Sequence, residues 1–185
     1  MVATPTTTPA AAAAAPTSQR ASLAEVRARV GQIPDPEIPV VTLADLGILR
    51  SVEMVADRLI VTLTPTYSGC PATEAIREDV LAVLRALGHA DGEVVLTLSP
   101  PWSTDRMQPG THEKLRAYGI APPGSLCTND VKVIQFKAPG DNNGPACPRC
   151  SSPNVIEISA YGSTACKALY RCRACAEPFD YFKPF

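Results

Sequence analysis

Seven cysteines carry most of the chemical potential of this 185-residue chain, and four of them fall in two CxxC pairs, Cys147-Pro148-Arg149-Cys150 and Cys172-Arg173-Ala174-Cys175. A CxxC turn lets both sulfurs reach one ion at about 2.3 Å, and four thiolates suit tetrahedral zinc. The interval between the pairs is slightly longer than the usual roughly 15–20 residues. The extra length fits a hairpin, with strands over Asn154–Ser159 and Cys166–Arg171 and a third over Phe179–Phe182. A unit this short buries too little apolar surface to fold alone, so metal binding must supply folding energy. With all four positions filled by protein the site is closed, hence structural. Iron on the same thiolates, or unligated cysteines, are the lesser alternatives.

Cys70 lies in Thr64-Pro65-Thr66-Tyr67-Ser68-Gly69-Cys70-Pro71, at the mouth of a helix expected to open at Pro71. Free amides and the helix dipole lower a thiol's pKa at such a position. The resulting thiolate could ligate metal or carry persulfide; a buried, inert cysteine is the plain alternative. Asp35 and Glu37 sit in a loop stiffened by Pro34, Pro36 and Pro39, where turn formation is their simplest role. Cys127 and Cys166 read as structural. His89 and His112 belong to no motif and read as surface residues, so no base for nucleophilic catalysis is evident. No phosphate-cradling glycine loop is present. The chain does not read as an enzyme.

The elements that must position these residues follow from periodicity. Ser22 with Glu25 forms a capping-box pattern ahead of Leu23, Val26, Val30 and Ile33 at helical spacing. Ile48–Val55 and Leu59–Leu63 read as a hairpin. Ile76, Val80, Val83, Leu84 and Leu87 give the Pro71 helix an apolar face, closed by Gly88. A strand over Glu93–Leu98, a short helix over Thr111–Tyr118 and a weaker strand over Val131–Lys137 complete the first unit. Helices and strands intermix around a hairpin, which points to a small two-layer α+β domain. The expected division is a disordered Ala/Pro/Thr tail over 1–20, the α+β domain over 21–137, a linker over 138–146 and the zinc ribbon over 147–185.

Net charge is −1, from 17 basic and 18 acidic residues. That balance gives no global pull toward nucleic acid or an anionic membrane, and no apolar run is long enough to span a bilayer. The tail lacks the basic and bulky apolar regions of an export signal. A reducing cytoplasm, where thiols stay free, is therefore expected.

Taken together, Asp35-Pro36-Glu37-Ile38-Pro39, Asp45-Leu46-Gly47-Ile48 and Thr64–Pro71 resemble the iron–sulfur assembly domain family. Cys147–Cys150, Gly162–Cys172 and Glu177–Lys183 resemble the PaaD family of the bacterial phenylacetyl-CoA epoxidase system, from about residue 22 to the end. The resemblance implies an accessory role in aerobic phenylacetate catabolism, as a factor that matures or inserts the iron–sulfur cluster of the flavin/[2Fe–2S] reductase subunit. A non-catalytic structural component of the oxygenase, docking through its ribbon, is the alternative. It further implies Cys70, with Asp35 and Glu37, as candidates to hold a transient iron or cluster, with zinc only structural. Expected partners are the other epoxidase subunits, above all the reductase, with a homodimer allowed and neither nucleic acid nor membrane expected.

Overall fold

The computed structural model describes residues 20–124 and 144–185. The tail up to residue 19, the strand expected over 131–137, Cys127 and the first part of the linker lie outside the described residues. Within them the first unit is a small α+β layer. Helix α1 (Leu23–Gly31) starts at Ser22, whose hydroxyl accepts the Glu25 amide at 3.3 Å. The reciprocal capping box forms one element later, at the single turn α2 (Leu43–Leu46). There Thr42 N–H donates to Asp45 Oδ2 at 2.9 Å, and Asp45 N–H to Thr42 Oγ1 at 3.2 Å. Gly47 closes α2 with φ +68°, and a Cβ there would run into the Arg106 carbonyl. Only glycine meets both demands.

Strands β1 (Leu49–Val55) and β2 (Arg58–Leu63) pair antiparallel around Ala56-Asp57, both at positive φ, the backbone a two-residue hairpin needs. Helix α3 (Thr73–Ala86) then returns the chain so that β3 (Glu93–Leu96) lies parallel to β2, Ile60 opposite Glu93 and Leu63 opposite Leu96. Ile76, Val80 and Leu84 point from α3 into the core with Val26, Val30, Leu59, Val61 and Leu63. His89 is buried here, contrary to its reading as a surface residue. Its Nε2 lies 2.9 Å from the Ala21 carbonyl, tying the end of α3 to the start of α1.

After a 3₁₀ turn (Thr104–Arg106) and α4 (Thr111–Ala117), the two-residue strand β4 (Ile120–Ala121) leaves the first unit. It becomes the outer strand of the second sheet, which contains β5 (Val155–Ser159), β6 (Lys167–Cys172) and β7 (Pro178–Phe182) in the order β4-β7-β6-β5. The ribbon is thus bound to the first unit by backbone pairing, Ile120 opposite Asp180 and Ala121 opposite Tyr181. Side chains extend the junction. Trp102 meets Phe182 and Phe185 edge-on, each with ring centroids 6.1 Å away, and gives its indole N–H to the Leu46 carbonyl at 2.8 Å. Phe182 and Cys166 are buried in the core of the first unit, not that of the ribbon. No helix among the described residues is long and apolar enough to cross a membrane.

Phe182→Ala should therefore weaken the first unit as well as the ribbon, by about 3–5 kcal/mol for a buried aromatic. Denaturant unfolding followed by the fluorescence of the sole tryptophan, Trp102, checks this. An unchanged midpoint would mean that the ribbon contributes nothing to the first unit.

Candidate functional site

The ribbon's four cysteines converge. Sγ atoms of Cys147 and Cys175 lie 3.8 Å apart, those of Cys150 and Cys172 3.6 Å apart, and all four fall within 4.8 Å of one another. A tetrahedron with metal–sulfur bonds of about 2.3 Å has edges of about 3.8 Å, so the spacing fits a zinc ion bound only by thiolate sulfur. The two knuckles repeat one geometry. The first cysteine donates its N–H five residues ahead, Cys147 to the Ser152 carbonyl at 3.0 Å and Cys172 to the Glu177 carbonyl at 2.9 Å. The residue after the second cysteine is left-handed, Ser151 at φ +58° and Ala176 at φ +65°. The metal-free thiols are electrostatically unequal. The Cys175 backbone N–H helps hold Cys172 down to about 6, whereas Cys150, despite an opposing backbone bond at Ser152, is pushed up to about 12 by burial and its three sulfur neighbours. A dication bound at their centre would remove that conflict.

Cys70 and Asp35 belong to a second centre. Both line one small cavity, with Ile48, Leu63, Thr66, Thr73 and Ile76. Asp35 is 7% exposed and its Oδ1 accepts the amides of Glu37 and Ile38, both at 2.9 Å, so it builds the proline loop while facing the cavity. Burial raises its carboxyl pKa above the ordinary value and outweighs those two bonds, which act the other way. Glu37 is exposed and makes no bond into the cavity, but its charge is felt at both Asp35 and Cys70.

Helix α3 begins at Thr73, two residues later than expected, so Cys70 precedes the helix instead of sitting on its first amides. Burial pushes its thiol up; the Ala72 backbone and the Thr73 side chain pull it down without reversing the direction. The expected low thiol pKa is therefore not what the fold produces, because desolvation outweighs the helix end. Cys70 is a half-buried thiol best deprotonated by something that binds it.

Thr164, Cys166 and Lys167 were given no role at this centre by the sequence reading, which took Cys166 as structural. Cys166 is 6% exposed and shares a hydrogen bond with Thr164 Oγ1 at 3.0 Å. Lys167, also buried, pairs with Asp180 at 3.3 Å. All come from the ribbon, yet the charges of Cys70 and Asp35 are felt at Cys166, and that of Lys167 at Asp35. The only signal was a cysteine outside the CxxC pairs beside a lysine at the head of β6. Two of the ribbon's other basic residues are committed elsewhere: Arg149 pairs with Glu177, and Lys183 donates to the Ala160 carbonyl at 3.1 Å over the Tyr161 ring.

Known proteins resemble the chain in two parts. Residues 23–96 match the family model for iron–sulfur cluster assembly proteins, and residues 133–183 that for the PaaD zinc β ribbon domain. The chain is 48% identical over 159 residues to a protein of Escherichia coli (strain K12) provisionally named as the D-type subunit of 1,2-phenylacetyl-CoA epoxidase, covering 86% of this chain and 91% of that one. It is 40% identical over 75 residues to an Fe–S protein maturation auxiliary factor of Porphyromonas gingivalis, covering 40% of this chain and 70% of the relative. A similar factor of Bacillus subtilis is 37% identical over 78 residues, covering 41% and 76%. A crystal structure of a DUF59 domain from Bacillus anthracis superposes with a TM-score of 0.46 at 29% identity, over 50% of this chain and 90% of that one.

The raised Asp35 carboxyl has a pH consequence. Between its unfolded pKa, near the ordinary 3.8, and its higher folded pKa, the native state holds a proton that the unfolded state has lost. Its contribution is full below the unfolded value and is lost as pH rises through the folded value. Asp35→Asn keeps an acceptor for the two loop amides and should flatten that decline. Chemical unfolding of both proteins from acid to neutral pH measures it, and parallel stability curves would contradict it.

Proposed function

This chain belongs to the PaaD family of the phenylacetyl-CoA epoxidase system, and we propose from that premise that it is an accessory, non-catalytic member of an aromatic-ring-epoxidising system which serves the maturation of that system's iron–sulfur component. The observation that carries the reading is the cavity holding Cys70 and Asp35. It offers one soft and one hard ligand on a rigid support, with no histidine among its lining residues to act as base. Such a site suits receiving and releasing iron or an iron–sulfur cluster as cargo better than it suits turning over an organic substrate. Relatives named as Fe–S protein maturation factors align with roughly the portion of chain that builds such a domain. Zinc in the ribbon is structural, since its four sulfurs leave no open position.

The target of maturation in this reading is the [2Fe–2S] reductase subunit. Glu37, exposed at the rim, adds negative charge toward an incoming partner or iron. A stable structural subunit is the second reading. It is favoured by the ribbon's outer strand β5, where Ile156 and Ile158 are 42% and 53% exposed beside Tyr161 at 68%, a surface suited to docking.

Deleting the gene should leave the reductase subunit synthesised but poor in iron and acid-labile sulfide, with Cys70→Ala reproducing the deficit. Iron and sulfide analysis of the purified reductase reads it. A fully loaded reductase from the deletion strain, together with a ring oxygenase that cannot assemble, would favour the structural reading instead.

A further inference from the structure

The cavity holding Cys70 and Asp35 is lined by the first unit, and the ribbon adds Cys166 to the core against which Cys70 packs. The ribbon's hairpin between β5 and β6 is folded tightly back: Gly162 N–H donates to the Lys167 carbonyl at 2.8 Å and Lys167 N–H to the Thr164 carbonyl at 3.1 Å. Gly162 lets the turn close tightly, since a Cβ would crowd Asp180 Oδ1 at 3.0 Å and Lys167 Cβ at 3.3 Å. Lys183 N–H, donating to the Cys166 carbonyl at 2.9 Å, fixes that residue from the β7 side. The hairpin therefore presents Thr164, Cys166 and Lys167 as a rigid set. Their neighbours are in the first unit: Cys166 is buried in its core, against which Cys70 and Tyr67 also pack. Tyr67, three residues before Cys70, takes a backbone hydrogen bond from Ala165, and its phenol feels the charges of both cysteines.

We propose that Cys166 is a second thiolate ligand at the Cys70 centre, so that an iron–sulfur cluster in transit is held between one cysteine from each half of the protein. This rests on the reading of Cys70 as a cargo-binding residue. Among the described residues, only the four ribbon cysteines gather within 4.8 Å of one another. Cys70, Cys166 and Asp35 do not gather that closely, so the three do not form a ready single-ion site. The buried cation Lys167 offsets part of the negative charge that two thiolates and a carboxylate would place there. Two protein thiolates are also an incomplete ligand set for a cluster normally held by four cysteines. The remaining positions stay open for ligands of an acceptor. Loading is a ligand exchange: Cys70 and Cys166 displace two small-molecule thiolates from a preformed cluster. Each cysteine's proton passes to a departing thiolate, and the cluster keeps its oxidation state.

The test uses the full-length, zinc-loaded chain under anaerobic conditions, titrated with a preformed [2Fe–2S] cluster carried by glutathione. Uptake is read by visible absorption and by iron and sulfide after desalting, with zinc assayed in parallel. Wild type should take up the cluster and keep its zinc. Cys70→Ser and Cys166→Ser should each bind at least ~10-fold more weakly, since even supporting residues of metal sites cost that much when removed. Cys166→Ala serves as the second variant if the serine form loses zinc. Wild-type uptake by a zinc-retaining Cys166 variant, with Cys70→Ser defective, would overturn the role of Cys166 and leave that of Cys70 standing. Wild-type uptake by Cys70→Ser, or none by the wild type itself, would overturn both.

Discussion

Four sulfur atoms within 4.8 Å of one another are the constraint on which the remainder of this molecule depends. Cys172 ends β6 and Cys175 precedes β7, so a metal at their centre pins the turn between these strands to the knuckle that precedes β5. The strands then act as levers. Six residues of extended chain, at about 3.3 Å each, separate Cys172 from Cys166 by about 20 Å. A metal there would therefore never touch the second centre. It fixes one end of a hairpin whose other end supplies Cys166, Lys167 and Phe182 to the first unit. The aromatic contacts of Trp102 with Phe182 and Phe185, and the pairing of β4 with β7, turn the two units into one packed body.

Burial decides the chemistry of the second centre. A helix terminus favours a charged thiol by no more than about 2 kcal/mol, and loss of hydration can exceed that. At Cys70 desolvation prevails and the thiol is raised; at Asp35 it prevails over two good backbone bonds. Lys167 and Asp180 form a largely buried ion pair, an arrangement that offers little stability relative to apolar packing. Its effect is positional, placing a cation whose charge is felt at Asp35.

Much of this was legible in the residues. The ribbon's ligands were readable because CxxC spacing is a local geometric statement, and α1, the β1–β2 hairpin, α3 and α4 followed from periodicity and capping. The start of α3 was placed too early because Pro71 suits a first helical turn, whereas Ala72 provides no side-chain cap and the helix begins only at Thr73. His89 was misjudged because nothing local shows that Ala21, 68 residues away, supplies its acceptor. Cys166 and Lys167 were missed for the same reason. Cys70, whose charge is felt at Cys166, and Asp35, which feels that of Lys167, lie roughly a hundred residues or more earlier, and only the tertiary docking of the ribbon brings them together. The strand β4, two residues long, carries no periodic signal at all.

The central claim is that the zinc-held ribbon sustains the Cys70 centre. The most direct measurement is the rate at which iodoacetamide alkylates Cys70, followed by mass spectrometry in the zinc-loaded protein and after zinc is removed by a chelator. Zinc removal should expose Cys70 and accelerate its alkylation toward the rate of an unfolded peptide. An unchanged rate in protein shown to have lost its zinc would contradict the claim and make the ribbon an independent appendage.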